Sequence, residues 1–139
     1  MNKPIEQVNL FCDGGCRGNP GPGAIGLLIL DTQNQELHRH AEPIGHTTNN
    51  RAEYCALIKG LDSCAKFTRH RVVCFMDSKL IVNQMNGTWR LKNDELRSLY
   101  HKVKDRERVF KEVTYQYVQR TNPTMKKVDR LLNQAFEGR

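Results

Sequence analysis

The sequence NLFCDGGCRGNPGPG, at residues 9–23, decides how the chain is organised. Apolar residues alternate with other residues up to Asp13, and Leu10 and Cys12 fall on the same side of this alternation. A two-residue period of this kind is typical of a β-strand. We therefore predict that Asp13 is the last residue of a first strand, with its carboxylate on the face opposite Leu10 and Cys12.

A glycine-rich turn is predicted directly after this strand. Gly14 and Gly15 have no Cβ, so they leave room for a metal ion, a water molecule or a phosphate to approach the backbone. Because proline fixes φ and glycine permits positive φ, residues 19–23 (NPGPG) are predicted to form a rigid turn. By itself the stretch is equally typical of a hairpin that carries an ordinary surface aspartate.

The length and composition predict one soluble domain that spans residues 1–139. A chain of this length can bury a core of its own. No stretch approaches the eighteen or so apolar residues of a membrane span. Glu6 and Gln7 interrupt the region where a signal peptide would have its apolar centre, so we expect no membrane association and a cytoplasmic location.

The five cysteines, at positions 12, 16, 55, 64 and 74, are an odd number without paired C-x-x-C spacing. This pattern disfavours a zinc site and a disulfide framework. We expect most of them to be small buried residues and Cys16, close to Asp13, to be the one open to oxidation.

Positive charge is concentrated in the C-terminal half of the chain. The net charge is +7, and residues 1–65 contain five Lys/Arg and seven Asp/Glu, whereas residues 66–139 contain seventeen and eight. A one-sided excess suits a polyanionic partner such as nucleic acid, although many basic proteins simply carry a solvated basic surface.

The periodicity of the remaining sequence predicts an α/β fold. The strands predicted after the first are residues 27–30, 37–44, 72–76 and 113–118. The predicted helices are residues 50–66, a short helix from residue 78, residues 93–108 and residues 125–136. With the first three strands as an antiparallel meander, this order predicts a five-stranded mixed sheet flanked by helices.

Three further acidic residues are predicted to face this sheet or its edge. Glu53 lies four residues before Leu57, so it opens the inward stripe of the first long helix. Asp77 follows the central strand directly. Asp129 shares a helical face with Leu132 and so borders the inward side of the last helix.

Together the four acids indicate a metal site. Converging carboxylates would repel one another unless divalent cations neutralised them, and ligands that are all oxygen suit Mg²⁺ or Mn²⁺. Two such ions, about 3.5–4 Å apart, can activate water and stabilise the leaving oxygen of a phosphoryl displacement. The residues alone leave two structural explanations open: Asn50 with Glu53 has the spacing of a capping box, and Asp77 can cap a helix that begins at Ser78.

Four stretches of the sequence resemble type 1 ribonuclease H. They are DGGCRGNPGPGAIG, TNNRAEYCALIKGL, FMDSKLIVNQMNG and VDRLLNQA, which occur in the family's order at similar spacing and cover nearly the whole chain. The first two are the most specific. The resemblance implies a ribonuclease H-like fold and an endonuclease that cuts the RNA strand of RNA–DNA hybrids. It also implies two Mg²⁺ ions, which Mn²⁺ can replace, and products with 5′-phosphate and 3′-hydroxyl ends.

The resemblance also implies roles for individual residues. The positions that match the family's catalytic, metal-binding carboxylates are Asp13, Glu53, Asp77 and Asp129. Glu53 is expected to face the 2′-hydroxyl, the group by which RNA differs from DNA. The positions expected to contact the hybrid are the backbone at Gly14, Gly15 and Cys16, the side chains of Asn19 and Asn49 near the cut, and Thr48 at a DNA-strand phosphate.

Some positions depart from the family's pattern. The loop before the last helix has no histidine, and Arg120 is its only side chain expected to reach a phosphate or the departing product. A guanidinium stays protonated, so Arg120 is not a base. Lys79 stands where many members have a glutamine that touches RNA, so charge replaces a base-edge contact. Trp89 is expected either to pack against deoxyribose in the DNA-strand groove or to anchor the core.

The sequence also predicts a short form of the family that lacks its separate basic helix. Phosphate contacts supply affinity for nucleic acid, so this loss is expected to weaken hybrid binding rather than abolish catalysis. Basic residues within 90–111 either compensate or are ordinary solvent-facing charges.

Two other functions compete with this one. A hybrid-binding relative without catalysis is disfavoured by the presence of all four acids, and a transposase, integrase or resolvase is disfavoured by the GNPGPG and TNNRAE stretches. A reverse-transcriptase fragment is disfavoured because the chain begins with Met1 and has a complete set of elements. We expect a monomer that binds RNA–DNA hybrid and needs no obligatory protein partner.

Overall fold

A computed structural model describes residues 5–137 of the chain. The strands are β1 Gln7–Cys16, β2 Gly21–Leu30, β3 Glu36–Thr47, β4 Arg71–Met76 and β5 Glu112–Tyr117. The helices are α1 Asn49–Cys64, α2 Lys79–Met85, α3 Asp94–Glu107 and α4 Pro123–Glu137. The elements follow the order predicted from the sequence.

The five strands form one mixed sheet in the order β3-β2-β1-β4-β5. β1, β2 and β3 are antiparallel neighbours, whereas β4 lies parallel to β1 and β5 parallel to β4. The predicted α/β class with a five-stranded mixed sheet is therefore confirmed. β3 and β5 are the edge strands, and the central pair β1–β4 is the one that positions the site.

Helices cover both faces of the sheet. The larger core contains Leu10 and Cys12 of β1 with Leu57 and Leu61 of α1, and it extends to α2 and α3. The smaller core joins the opposite face to α4 and contains Phe11, Leu28, Leu30, Met125 and Val128. Successive residues of β1 thus point to opposite faces, as the two-residue period requires.

The prediction that β1 ends at Asp13 is wrong, because the strand continues to Cys16. Its pairing with β2 runs on through Gly14 and Gly15 to the pair Cys16–Gly23. The predicted turn at 19–23 is also shorter than expected, since β2 begins at Gly21. Pairing between strands is a tertiary interaction, so the glycines extend the ladder instead of ending it.

Gly14 makes room for a helix rather than for a ligand. A Cβ at Gly14 would lie 2.1 Å from the carbonyl oxygen of Ala52, on the backbone of α1. The first turn of α1 can therefore lie directly against β1 only if residue 14 is glycine. This close approach brings the next residue of the helix, Glu53, to the strand.

The two capping explanations for Glu53 and Asp77 are wrong. The N-cap of α1 is Thr48, whose side chain accepts a hydrogen bond from the backbone N–H of Arg51. The N-cap of α2 is Ser78, whose hydroxyl accepts from the N–H of Ile81. Both carboxylates are thus free for other contacts.

Other sequence predictions concern the segment after α2, the cysteines and membranes. Only residues 86–93 separate α2 from α3, so the chain is a short form without an extra helix there.

The cysteines are mostly buried, as predicted. Cys12, Cys64 and Cys74 are buried, and Cys16 and Cys55 are partly exposed. Among the described residues, no helix is long and apolar enough to cross a membrane.

Candidate active site

The parallel pairing of β1 with β4 places two aspartates side by side. The last paired residues of the two strands are Phe11 and Phe75, whose rings stack at a centroid distance of 4.5 Å. Asp13 and Asp77 each lie two residues further along: Asp13 is within β1, where its pairing with β4 has ended, and Asp77 directly follows β4. The predicted juxtaposition of these carboxylates at one end of the sheet is therefore present.

Glu53 completes a cluster of three carboxylates. One oxygen each from Asp13, Glu53 and Asp77 lies within 4.8 Å of the other two. All three side chains are partly buried, and that of Asp77 is only 8% exposed. The sheet holds two of these groups and α1 holds the third, so the cluster depends on the close packing of α1 on β1.

Burial and mutual repulsion make these carboxylates difficult to ionise. Desolvation, followed by the charges of Asp77 and Glu53, raises the pKa of Asp13 from 3.8 to about 8. Desolvation also raises the pKa of Glu53 to about 7, against the opposing effect of a hydrogen bond from Ser78. Raised pKa values of this kind are typical of a site that binds a cation, because a nearby positive charge stabilises the ionised carboxylates.

The donor set fits a hard divalent cation. All the converging ligand atoms are carboxylate oxygens, which Mg²⁺ and Mn²⁺ prefer, and their spacing allows one ion to contact three of them. A bound cation would reverse the repulsion that raises the pKa of Asp13. The acidic cluster can therefore bind a metal ion through Asp13, Glu53 and Asp77, three of the four acids predicted from the sequence.

Asp129 lies beside this cluster but is not part of it. Its side chain is exposed on α4 rather than facing inward, and one of its oxygens accepts a hydrogen bond from Asn133 at 3.3 Å. Its charge nevertheless contributes to the raised pKa of Asp13. The buried stripe of α4 consists of Met125, Val128 and Leu132, so Asp129 borders this stripe, as predicted, with its side chain on the exposed flank of the helix.

Arg120 reaches the cluster from the loop after β5, at the same end of the sheet as Asp77. Its Nε lies 3.5 Å from an Asp77 carboxylate oxygen, and 87% of its side chain is exposed. Its charge also opposes the rise in the pKa of Glu53. Arg120 is thus an exposed cation at the solvent side of the acidic cluster.

A hydrogen-bond network joins the β1–β2 loop to the start of α1. The Oδ1 of Asn49 accepts from the backbone N–H of Cys16 at 2.9 Å and lies 3.3 Å from its thiol. The Oδ1 of Asn19 accepts from the N–H of Asn49 at 3.1 Å. Both amide oxygens are engaged, so the amide nitrogens of Asn19 and Asn49 are the groups left to donate to a ligand. Thr48, the helix cap, adjoins them.

The remaining predicted contact residues have different surroundings. Trp89 is 47% exposed in the segment between α2 and α3, so the core-anchor interpretation is wrong. Lys79 is exposed at the start of α2, with its ammonium 5.2 Å from the centroid of the Tyr117 ring. Gly15 has open space around it, because a Cβ there would come no closer than 3.8 Å to any neighbour.

Two residues at the site, Ser78 and Arg51, are not predicted from the sequence. Ser78 hydrogen-bonds to Glu53 as well as capping α2, and its position next to Asp77 is a signal that could have identified it. Arg51 forms an ion pair with Glu95 of α3 at 2.7 Å and helps to line a cavity of about 270 Å³ beside Asn19. Nothing in the local sequence indicates the second pairing, because residues 51 and 95 meet only in the folded chain.

The raised pKa of Asp13 predicts how the metal-free protein responds to pH. The pKa of Asp13 is about 8 in the folded protein and 3.8 in the unfolded chain. Between these pH values the carboxyl group of Asp13 is therefore protonated when the chain is folded and ionised when it is unfolded. Stability therefore falls as the pH rises between these values. Asparagine does not ionise, so the Asp13→Asn variant should not lose this stability. In chemical unfolding with a chelator present, its free energy of unfolding relative to the unaltered protein should rise by about 1 kcal/mol or more between about pH 5 and about pH 8. A difference that is constant with pH would contradict the prediction.

The chain matches known proteins along nearly its whole length. A family model described as reverse transcriptase-like matches residues 11–128. A bifunctional protein of Mycobacterium tuberculosis is 38% identical over 95% of this chain, which spans 36% of that protein. Ribonuclease HI of Halobacterium salinarum is 31% identical over 94% of this chain and 65% of its own length.

Solved structures agree with these matches. The N-terminal RNase H domain of the M. tuberculosis protein has a TM-score of 0.88 at 37% identity and covers 94% of each chain. The structure of LC11-RNase H1 in complex with an RNA/DNA hybrid has a TM-score of 0.87 at 33% identity, over 94% of this chain and 96% of that one. Fold, acidic cluster and family model together define a reverse transcriptase-like domain of the ribonuclease H class. Within that class, the chain belongs to the type 1 ribonuclease H family.

Proposed function

We propose that the chain is an endoribonuclease that hydrolyses the RNA strand of RNA–DNA hybrids and leaves 5′-phosphate and 3′-hydroxyl ends. The observation that carries this proposal is the meeting of Asp13, Glu53 and Asp77 within 4.8 Å in a member of this family. The hybrid bound to LC11-RNase H1, a relative at 33% identity, supports the substrate class.

The three clustered carboxylates are proposed to hold the metal, with Mg²⁺ preferred, Mn²⁺ as a substitute, and two ions per site. When bound, such ions supply a nucleophilic water at neutral pH and stabilise charge on the leaving oxygen. Asp13 and Asp77 fix their carboxylates from adjacent strands, so their separation does not have to be set as substrate binds. Asp129, on the exposed flank of α4, is proposed as the fourth catalytic carboxylate. Its charge acts on Asp13 from outside the three-carboxylate cluster.

The network at the start of α1 is proposed to recognise the hybrid. The free amide nitrogens of Asn19 and Asn49 can donate to sugar or base acceptors, and the backbone from Gly14 to Cys16, which Asn49 contacts, is proposed to touch the same strand. Glu53 is proposed to face the 2′-hydroxyl, which distinguishes the strand to be cut. The proposed outer contacts are Thr48, Lys79 and the exposed ring of Trp89.

Cleavage of defined duplexes tests the proposed function. We expect the protein to cut only the RNA strand of an end-labelled RNA–DNA hybrid, only with Mg²⁺ or Mn²⁺, and to leave RNA duplex and DNA duplex intact. Binding of hybrid without cleavage would instead indicate a binding module. Cleavage or strand transfer of DNA would indicate another nuclease of the same fold.

Arg120 is proposed to contact the phosphate or the departing product in place of the family histidine. Its positively charged guanidinium lies at the exposed side of the cluster, 3.5 Å from an Asp77 carboxylate oxygen. Arg120→Ala should slow turnover about fivefold or more with the thermal midpoint unchanged, because 87% of the side chain is exposed. Arg120→Lys, which keeps the charge, should retain more of the rate, and an unchanged rate for Arg120→Ala would reject the role.

We further propose that residues 1–139 work as one ribonuclease H-like catalytic domain, as a monomer without an obligatory protein partner, and in the cytoplasm. The separate N-terminal RNase H domain of the M. tuberculosis relative supports the first part. Light scattering during gel filtration, combined with the cleavage assay on the same fractions, tests the first two parts.

A further inference from the structure

A cationic cleft lies between α4 and the edge strand β3, away from the acidic cluster. Its volume is about 200 Å³, and its lining residues are Leu28, Arg39, Lys127, Arg130, Leu131 and Gln134. Three of these carry positive charge and none carries negative charge. Neither the catalytic carboxylates nor the hydrogen-bond network at the start of α1 contributes to it.

The helix contributes one continuous stripe to this cleft. Lys127, Arg130, Leu131 and Gln134 have the spacing i, i+3, i+4 and i+7, which places them on a single helical face. Asp129 is 100° around the helix from Arg130 and two hundred degrees from Lys127, so the stripe faces away from the flank that borders the catalytic carboxylates. The cleft is therefore a separate surface of the same helix.

The sheet contributes the opposite wall. Arg39 and Leu28 are cross-strand partners in the pairing of β3 with β2, on the face that α4 covers. Glu36 holds the Arg39 guanidinium through two hydrogen bonds of 2.6 Å. A guanidinium fixed by such a fork offers a flat, oriented cation on which an aromatic ring can stack.

The combination suits a nucleotide better than a phosphate ion alone. Lys127 and Arg130 are exposed cations that can contact a phosphodiester, whereas the partly buried Leu131 presents an apolar floor beside them and Leu28 is buried at its base. A base in a duplex is stacked on its neighbours and paired, so it cannot reach such a floor. Single-stranded nucleic acid presents both an exposed base and its phosphate.

We propose that this cleft, defined by Arg39, Lys127 and Arg130, binds a nucleotide of single-stranded nucleic acid. The phosphate contacts Lys127 and Arg130, and the base stacks on the Arg39 guanidinium beside Leu131. This is a second nucleic-acid site, distinct from the one that binds the strand to be cut. Lys127 and Arg130 belong to the C-terminal half, so this site accounts for part of the excess positive charge there.

Fluorescence anisotropy with a labelled single-stranded RNA of about 12 nucleotides, and with DNA of the same sequence, tests the proposal in the presence of a chelator. The double variant Lys127→Gln/Arg130→Gln should weaken binding about fivefold or more and reduce the slope of log K against log salt by about 1.4, since each lost single-strand phosphate contact removes about 0.7. Arg39→Lys should weaken binding although it conserves charge. Loss for both oligonucleotides, or for RNA alone, supports the site.

A matched control separates a site from general charge. Lys66→Gln/Arg69→Gln makes the same change of charge at two exposed residues between α1 and β4, at the far end of the sheet from Asp13. Equal loss in the two double variants, or no binding of single strands by the unaltered protein at low salt, would overturn the proposal. No cleavage is measured, so this result is independent of whether the chain proves to cut hybrids.

Discussion

Replacing Asp77 with Asn is expected to lower the rate of RNA cleavage by at least about 10³-fold, because losing several kcal/mol of metal-assisted stabilisation of the transition state costs that much. Asp77 shares its cluster with Asp13 and Glu53 and is the member that Arg120 also contacts. Asparagine keeps the size of the side chain but removes the charge that a cation requires. Single-turnover cleavage of a labelled hybrid at saturating Mg²⁺ measures the loss.

The same variant should not destabilise the metal-free protein. The charge of Asp77 is one of the causes that raise the pKa of Asp13, so removing it relieves a repulsion within the fold. Asp105→Asn is a matched control, since Asp105 is an exposed acid paired with Arg108 on α3 at 3.5 Å. Equal activity of the Asp77→Asn variant and this control, with both variants folded, would reject the catalytic role of Asp77.

Adding a single methyl group at Gly14 is expected to disrupt the packing of α1 on β1. A Cβ there would lie 2.1 Å from the Ala52 carbonyl oxygen and 2.7 Å from the backbone nitrogen of Glu53, and backbone atoms cannot move aside individually. We expect Gly14→Ala to lower the free energy of unfolding by about 3 kcal/mol, at the upper end of overpacking effects. Because α1 must move away from β1, Glu53 should leave the cluster and cleavage should fall as well.

Gly15→Ala is the matched control for this prediction. It places the same methyl group one residue later on the same strand, where the nearest atoms are 3.8 and 3.9 Å away. Its effect on the free energy of unfolding should stay within about 1 kcal/mol. Urea unfolding of the two variants provides the comparison, and similar stabilities would contradict the close-packing explanation.

Much of the fold can be predicted from local patterns. The alternation before Asp13, the apolar run before Asp77 and the helical stripe opened by Glu53 are periodicities that one stretch of chain contains in full. The parallel pairing of β1 with β4 then brings the first two acids together, and this is a consequence of element order in an α/β fold. These three residues consequently meet where the sequence indicates.

Other features depend on contacts that no single stretch contains. β1 runs past Asp13 because β2 pairs with it as far as Cys16. Asp129 lies on an exposed flank because the rotation of α4 is set by Met125, Val128 and Leu132 against the sheet. The cleft between α4 and β3 likewise needs Arg39 and Lys127, which are distant in the chain, to come together.

Anomalous diffraction from crystals grown with Mn²⁺ tests most directly whether the three carboxylates form a metal site. We predict an anomalous peak between the oxygens of Asp13, Glu53 and Asp77, with the Arg120 guanidinium displaced from Asp77. A map with no peak among these oxygens at saturating Mn²⁺, or with manganese only at other acids, would contradict the account.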